Sequence, residues 1–411
     1  MAKVNYISPF ATELPKMPKV EGVKLATAHS GMKYKNRDDL TLVELAEGTT
    51  VGGVFTKNTM CGAPINWGRE ILGGGKARAL VVNAGIANVF TGKEGQAAVR
   101  KTAEEVAKAL SCDANEVFVA STGVIGEQVD NDKIINKLPE LKENLKADSW
   151  GHAARAIMTT DTFAKGLTKK AFIGGTEVTI NGIIKGSGMI NPDMATMLGY
   201  IFTDAKIPAK ILQEMMNEDT IISYNCMTVD SDTSTSDMVL AFATGKKEHW
   251  EVTSKDAPEF VDFREKFREM NIELAKLVAK DGEGITKFIT VNVKGAESDE
   301  AARKIGLSIG NSPLVKCAVA GEDPNWGRII MAIGKSGEKA NRDKTSVFVG
   351  EHKIAENGTI FPEYKEEVAA KYMKNKEIDI NVDVGVGTGE GTIWTMDLTY
   401  DYIRINVDYR S

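Results

Sequence analysis

The chain has 411 residues, of which 42% are hydrophobic and 26% are charged, and its formal net charge is −6. This length exceeds what one ordinary hydrophobic core accommodates, so two domains or lobes are expected. The mildly acidic balance argues against nucleic acid as a partner. The N-terminus lacks the apolar segment of a signal peptide, and no stretch is apolar enough to span a membrane, so a cytoplasmic location without membrane contact is expected.

The positions of the cysteines and histidines argue against disulfide bonds, metal binding and histidine-based catalysis. The four cysteines lie far apart and form no CxxC pair, so free thiols are expected. The four histidines have no ligand-like spacing, so the sequence predicts no metal site and no histidine-based catalytic triad. If the chain is an enzyme of acyl chemistry, its base is expected to be a group other than histidine.

The N-terminal third predicts mixed α/β structure. Residues 78–83 and 116–120 have the apolar pattern of buried strands, and residues 96–110 have the period of a helix. The second strand enters a loop of small residues, 121–126, whose amides could face a ligand or could form a plain strand-to-helix turn. Residues 154–162 end in three hydroxyls and a carboxylate, which fits either helix capping or a polar pocket.

A strand at residues 176–180 leads into a central stretch, residues 182–200, with the sequence GIIKGSGMINPDMATMLGY. Three glycines surround Lys185, and Thr196 is the hydroxyl in an apolar run. Such a hydroxyl is a poor nucleophile unless a base lies beside it, and the α-amine of an N-terminal threonine is one such base. From the residues alone, the favoured interpretation of Thr196 is structural, as a strand residue with a satisfied hydroxyl.

The C-terminal half continues without a linker. Residues 208–216 and 259–280 predict helices, and the polar run 230–237 predicts a capping or solvated loop, since it lacks calcium-loop spacing. Alternating apolar residues predict strands, which suit antiparallel sheet covered on one face by helices; they lie at 289–293, 378–384 and 403–407. Two glycine-rich stretches, near residues 334 and 385, fail to complete nucleotide-binding motifs, so no cofactor is expected.

The segment from Lys185 to Leu198 is the centre of a series of ordered sequence matches. The other matching segments are 54–58, 121–126, 158–162, 203–205, 232–235, 280–284, 322–328 and 397–406. Together these segments resemble the self-cleaving ornithine acetyltransferases of arginine biosynthesis, also called glutamate N-acetyltransferases. One position departs from the pattern, since the family usually carries an asparagine where this chain has Ile86.

The resemblance implies a mixed α/β (α+β) fold with two lobes of mixed or antiparallel sheet and covering helices, similar to the aminopeptidase-like, self-processing N-terminal-nucleophile fold. It also implies that the chain cuts itself between Ala195 and Thr196. Residues 1–195 would then form the α chain, and residues 196–411 the β chain. The family associates as α₂β₂ or higher.

The activity implied by the resemblance is transfer of the acetyl group from N2-acetyl-L-ornithine to L-glutamate by double displacement. Thr196 would carry the acetyl group as an ester, and its own α-amine, with an ordinary pKa of about 7.7–8.0, would act as base. Acetyl-CoA stays open as a second donor, because no motif separates members that accept it from members that do not. Two alternatives also stay open: an aminopeptidase or amidohydrolase on the same fold, in which water is the acceptor, and a non-catalytic amino-acid-binding protein.

The site residues carried over from the family fall into two groups. Thr122, through its hydroxyl, and Gly123, through its backbone N–H, would form the oxyanion hole. The substrate contacts would be Thr162, Lys185, Thr196, Glu283, Asn406 and Ser411, with Thr160 as a weaker candidate in place of Thr162. The charges suit an amino acid, because Lys185 can pair with a carboxylate and Glu283 with an ammonium group.

Overall fold

The computed structural model describes residues 6–191 and 197–407, and within them fifteen strands form three sheets packed with twelve α-helices. The strands are β1 (Val23–Ala28), β2 (Leu40–Leu45), β3 (Thr50–Phe55), β4 (Ala79–Ile86), β5 (Val117–Val124), β6 (Lys165–Ile173), β7 (Thr176–Lys185), β8 (Leu198–Thr203), β9 (Met238–Ala243), β10 (Phe288–Ala296), β11 (Ser346–Val349), β12 (His352–Glu356), β13 (Thr359–Ile360), β14 (Glu377–Asp383) and β15 (Gly389–Met396). The helices are α1 (Ala63–Leu72), α2 (Gly92–Leu110), α3 (Asn131–Ile135), α4 (Leu138–Glu143), α5 (Trp150–Ala156), α6 (Ala209–Ile222), α7 (Val261–Ala279), α8 (Asp299–Gly310), α9 (Pro313–Ala320), α10 (Trp326–Gly334), α11 (Glu366–Tyr372) and α12 (Tyr400–Val407).

The first sheet has the order β1-β2-β4-β5, and its last two strands run parallel. Every residue of β4 is buried, because apolar side chains occupy both faces of this strand. Helix α2 connects β4 to β5 and buries the apolar face that its sequence predicts, including Val99, Val106 and Leu110. The two strands and the helix predicted for this region are confirmed.

The central sheet has the order β3-β9-β8-β7-β6, and all its neighbouring strands are antiparallel except β8 and β9. Alternate residues of β8 belong to different apolar cores, with Tyr200 and Phe202 in one and Ile201 in the other. The sheet is therefore covered on both faces. At its edge nearest the central stretch of the sequence, Lys185 at the end of β7 pairs with Leu198 at the start of β8.

The third sheet has the order β13-β12-β11-β14-β10-β15. Strand β14 alternates between buried and outward-facing residues, as predicted for a sheet covered on one face. The prediction that this sheet is antiparallel is wrong for one pair, because β14 runs parallel to β10, although β10 and β15 are antiparallel. Helix α7 buries Phe263, Phe267, Met270 and Leu274, as the spacing of its apolar residues predicts.

The prediction of a strand at residues 403–407 is wrong, since these residues lie in helix α12. The side chains of Ile403 and Val407 are 57% and 71% exposed, so no sheet covers them. The helix begins where Thr399, whose hydroxyl donates to the Gly284 carbonyl, accepts a hydrogen bond from the Asp401 N–H at 3.2 Å. A threonine in this position starts a helix, and five alternating residues are too few to predict a strand against it.

The expectation of a mixed α/β fold with two lobes is confirmed. One apolar core lies between the first sheet and one face of the central sheet, and the other lies between the opposite face and the third sheet with its helices. In the described ranges, no helix combines the length and apolar character needed to cross a membrane.

Candidate active site

Three of the predicted site residues meet at one small pocket of about 70 Å³, where the ends of β5 and β7 approach two loops. The pocket is lined by Ala87, Thr122, Gly123, Ile125, Thr159, Thr160, Lys185, Gly188, Met189, Ser234, Thr235 and Ser236. The predicted oxyanion-hole pair and the predicted substrate lysine, Lys185, are therefore neighbours. A larger groove of about 1030 Å³ between α6 and the third sheet is lined by none of the predicted site residues.

Thr122 and Gly123 lie at the end of β5, where it runs parallel to β4. Gly123 has a φ of +130°, and a Cβ built on it would lie 2.2 Å from the carbonyl carbon of Gly85, so no other residue fits. Thr122 is buried and lines the pocket beside Gly123. The paired ends of β4 and β5 thus bring a closely packed backbone segment and a threonine hydroxyl to the pocket.

Lys185 carries the positive charge of the pocket. Its Nζ donates to the Thr159 hydroxyl at 3.3 Å, and in the described part of the chain it forms no ion pair within 4 Å. Burial lowers the pKa of the Lys185 ammonium, while the charges of Asp161 and Asp237 act in the opposite direction. A lysine in this state has donors left for an incoming carboxylate.

A buried ion cluster lies behind the pocket. Lys165 Nζ lies 2.6 Å from Asp161 Oδ1 and 2.5 Å from Asp281 Oδ2, and all three side chains are fully buried. Burial alone would raise the pKa of Asp161, but the charges of Lys165 and Lys185 hold it below its usual range. Asp161 also accepts a hydrogen bond from the Gly186 N–H at 2.7 Å, so the cluster fixes the turn that follows Lys185.

Among the three threonines near this cluster, Thr159 and Thr160 line the pocket, whereas the predicted contact Thr162 does not. The Thr162 hydroxyl donates to the Asp281 carboxylate and accepts from the Ser8 N–H at 3.1 Å. Its polar atoms are therefore engaged within the protein.

Glu283 lies beside the pocket at Gly188. A Cβ on Gly188 would lie 2.5 Å from the Glu283 carboxyl carbon, so glycine is needed for this approach. Asn406 Nδ2, from α12, donates to Glu283 Oε2 at 2.8 Å. Burial raises the pKa of Glu283, and hydrogen bonds from Thr160 and Asn406 oppose that change. The structure thus brings together two predicted substrate contacts from distant parts of the chain.

Some predicted residues lie outside the described ranges: Ala195, Thr196 and Ser411. The described neighbour of Thr196 is Met197, a buried residue whose carbonyl accepts from the Met238 N–H at 3.0 Å. Ile86, the departure from the family pattern, is buried at the end of β4, and its carbonyl accepts from the Asn83 amide at 2.9 Å.

Sequence reasoning missed part of the pocket wall and one buried acid. Ser234, Thr235 and Ser236 line the pocket, and Asp237 follows them as a buried carboxyl whose Oδ2 has no hydrogen-bond partner in the part of the chain that the structure describes. Burial raises the pKa of Asp237 well above its usual range. The density of hydroxyls in residues 230–237 was a signal for this wall. Within the described ranges, no group of three or more His, Cys, Asp or Glu is arranged to hold a metal ion.

Comparison with known proteins gives consistent matches over the whole chain. The model of the ArgJ family matches residues 24–411. The arginine biosynthesis bifunctional protein ArgJ of Mesorhizobium japonicum is 51% identical over 98% of this chain and 99% of its own length. The protein of the same name from Gluconobacter oxydans is 49% identical over 100% of this chain and 97% of its own. A crystal structure of arginine biosynthesis bifunctional protein ArgJ from Bacillus halodurans is 39% identical, covering 52% of this chain and 100% of that chain, with a TM-score of 0.49. The family resemblance in the sequence is confirmed, and the chain belongs to the ArgJ family.

Proposed function

We propose that this chain cuts itself before Thr196 and moves the acetyl group of N2-acetyl-L-ornithine to L-glutamate through an acetyl-threonine. Its family membership confirms the broader expectation of an acetyl-transferring enzyme of arginine biosynthesis. The observation that carries the finer proposal is the pocket that joins Thr122 and Gly123 to Lys185.

Covalent connection supports Thr196 as the nucleophile at this pocket. Thr196 is bonded to Met197, and the next residue, Leu198, pairs in the sheet with Lys185, which lines the pocket. Consecutive Cα atoms are about 3.8 Å apart, so only a short length of chain separates Thr196 from the strand pair. After cleavage, Thr196 would have a free α-amine within reach of its own hydroxyl.

The chemistry proceeds in two balanced halves. The Thr196 hydroxyl attacks the acetyl carbonyl and gives its proton to the α-amine, the carbon–nitrogen bond breaks, and ornithine leaves with that proton. The α-amine of glutamate then attacks the ester carbonyl and gives a proton to the Thr196 α-amine, the carbon–oxygen bond of the ester breaks, and the Thr196 hydroxyl is released with that proton. Each half forms an oxyanion that the Thr122 hydroxyl and the Gly123 N–H would hold, at about 2.7–4 kcal/mol per donor.

The substrate contacts divide by charge. Lys185 would pair with the α-carboxylate of the substrate, because its pocket-facing ammonium has no carboxylate partner among the described residues. Glu283, held by Asn406, would face the side-chain ammonium of ornithine. Thr160 is a better placed contact than Thr162, since only Thr160 lines the pocket. We keep Ser411 as a proposed contact from the family pattern alone.

Sheet order supports a cleaved protein whose chains stay together. In the central sheet, β9 and β8 of the proposed β chain lie between β3 on one side and β7 and β6 on the other, all three of which belong to the proposed α chain. Separation would break the β3–β9 and β7–β8 ladders and the Lys165–Asp281 ion pair. We propose an α₂β₂ assembly located in the cytoplasm, which native mass spectrometry and cell fractionation test.

Intact mass and N-terminal sequencing of the purified protein, beside the Thr196→Ala variant, test the proposal. We expect two wild-type chains, the second beginning Thr196-Met197-Leu198, and one intact variant chain. A folded wild type that stays whole would leave Thr196 without a free amine and would overturn the mechanism.

A donor and acceptor assay then separates the activities. With acetylornithine, acetylglutamate formation supports the transferase, whereas acetate release without it supports an N-terminal-nucleophile hydrolase. An intact chain that binds amino acids without turnover supports a binding protein. The word "bifunctional" in the names of the relatives favours acetyl-CoA as a second donor, and acetylglutamate formation from acetyl-CoA and glutamate alone tests this.

A further inference from the structure

Asp230, which does not line the pocket, holds the backbone that leads into the proposed cleavage site. Its Oδ2 accepts a hydrogen bond from the Met189 N–H at 2.6 Å, and its Oδ1 accepts one from the Ile190 N–H at 2.7 Å. One carboxylate thus binds two consecutive backbone N–H groups, which requires both of its oxygens to act as hydrogen-bond acceptors.

The backbone that Asp230 holds is strained. Met189 has a φ of +56°, a left-handed conformation that non-glycine residues rarely adopt. Such a conformation persists only when its surroundings impose it, and strained residues concentrate at functional sites. Asp230 supplies two of the hydrogen bonds that impose it.

Residues next to Asp230 in the sequence form further hydrogen bonds to the same backbone segment. The Ile190 carbonyl accepts from the Val229 N–H at 2.7 Å and from the Thr228 hydroxyl at 3.1 Å. The Thr233 hydroxyl donates to the Asn191 carbonyl at 3.0 Å. Residues 228–233 therefore fix residues 189–191 on the upstream side of the proposed cleavage site.

The downstream side is fixed as well. The Met197 carbonyl accepts from the Met238 N–H at 3.0 Å, and Leu198 is in register with Lys185. The chain between these two anchors contains five residues and includes the Ala195–Thr196 bond. Attack by a hydroxyl on the preceding carbonyl requires a defined backbone geometry, and fixed ends restrict the conformations that compete with it.

We propose that Asp230 is a positioning residue for self-cleavage, because its carboxylate holds Met189 and Ile190 in the strained conformation from which the Ala195–Thr196 bond is cut. This inference rests on the proposed self-cleavage. It adds a residue that acts on the precursor and is distinct from the residues proposed to bind substrate or to hold the oxyanion.

The test is the rate of precursor conversion into two chains, followed by intact mass after synthesis in a cell-free system. In Asp230→Asn, one acceptor oxygen becomes an NH₂ group that faces a backbone N–H, so we expect conversion at least tenfold slower than in wild type. Asp232→Asn is the matched control, since it removes the same charge from an exposed side chain in the same loop. Its conversion rate should equal that of wild type.

Folding is measured separately, as the thermal midpoint of each variant in the uncleavable Thr196→Ala background. Asp230→Glu, which keeps both acceptor oxygens, should convert at a rate between wild type and Asp230→Asn. If Asp230→Asn does not fold, Asp230→Glu decides the matter: slower conversion at an unchanged midpoint supports the proposal, and wild-type conversion overturns it. A wild-type precursor that never converts overturns the proposed self-cleavage itself, whereas equal conversion by wild type and Asp230→Asn overturns only the role of Asp230.

Discussion

Two lysines on neighbouring strands, Lys165 at the start of β6 and Lys185 at the end of β7, have opposite electrostatic environments. Lys165 lies within 2.6 Å of two carboxylates, and although burial alone would lower its pKa, Asp161 and Asp281 raise it. Lys185 donates only to a threonine hydroxyl among the described residues, and burial lowers its pKa. One charge is compensated inside the protein, and the other is left for a ligand.

This difference separates a structural role from a functional one. Burying an ammonium group is costly unless a carboxylate compensates it, so a buried lysine without one destabilises the empty protein. A substrate carboxylate that enters the pocket would supply the missing charge to Lys185. We therefore expect loss of Lys165 to affect folding and loss of Lys185 to affect substrate binding.

The largest effect is expected from Lys165→Met. This change leaves Asp161 and Asp281 buried without their shared cation, which costs about 3–5 kcal/mol of unfolding free energy. Urea unfolding in the Thr196→Ala background, where the chain is uncut, measures the loss. Lys169→Met is the control on the same strand, because its partners Glu269 and Glu273 are 44% and 46% exposed and the pairs contribute about 0–1 kcal/mol. Equal losses in the two variants would contradict the structural role of Lys165.

The second-largest effect is expected from Lys185→Ala, which should raise the Michaelis constant. Loss of a charge-assisted hydrogen bond of about 1.5–3 kcal/mol should raise the KM for acetylornithine about 10- to 100-fold. The unfolding midpoint should fall less than in Lys165→Met, because among the described residues the Lys185 ammonium forms no ion pair within 4 Å and interacts with Asp161 and Asp237 only at longer range. Glu283→Ala should likewise weaken substrate binding more than it slows self-cleavage. Steady-state kinetics and intact mass check both variants, and unchanged Michaelis constants in both would refute these roles.

A third buried lysine extends the comparison to pH. Lys316 donates to the Val229 carbonyl, and burial lowers its pKa from 10.5 to about 8, although Asp230 and Asp397 oppose this change. Between these values the unfolded chain binds more protons at this residue than the folded chain, so its contribution makes stability rise with pH. The rise should be on the order of 2 kcal/mol between about pH 7.5 and 9.5.

Lys316→Met should remove this rise. The measurement is the difference in unfolding free energy between Thr196→Ala and Thr196→Ala/Lys316→Met at the two pH values. As pH increases, the unfolding free energy of Thr196→Ala should rise relative to that of Thr196→Ala/Lys316→Met. A constant difference would show that the folded and unfolded pKa values of Lys316 are alike.

The sequence predicted much of this architecture but could not separate the two lysines of the comparison. Apolar periodicity predicted β4, β5, α2 and α7, because burial of one face or both leaves a local pattern. The family motif drew attention to Lys185, but nothing local distinguishes it from Lys165. The deciding partner, Asp281, lies far along the chain, and its approach is a product of tertiary packing. The same limit explains the error at residues 403–407, where the Thr399 cap outweighed a short alternation.

The smallest expected effects come from Thr160 and Thr162, which differ in the same way as the two lysines: one lines the pocket, and the other is bonded within the protein. Thr160 lines the pocket, so Thr160→Val should raise the KM about fivefold, as expected for one hydrogen bond of about 1 kcal/mol. It should lower the unfolding midpoint less than Thr162→Val does, because its hydroxyl has one internal partner, Glu283, whereas that of Thr162 has two. Thr162→Val should do the reverse and cost about 1 kcal/mol of stability, because its hydroxyl is bonded to Asp281 and Ser8. Kinetics and urea unfolding of both variants give four values. The comparison assumes that a side chain already bonded within the empty protein does not bind substrate. If Thr162→Val raises the KM at an unchanged midpoint, this assumption fails, and the distinction between Lys165 and Lys185 loses its basis.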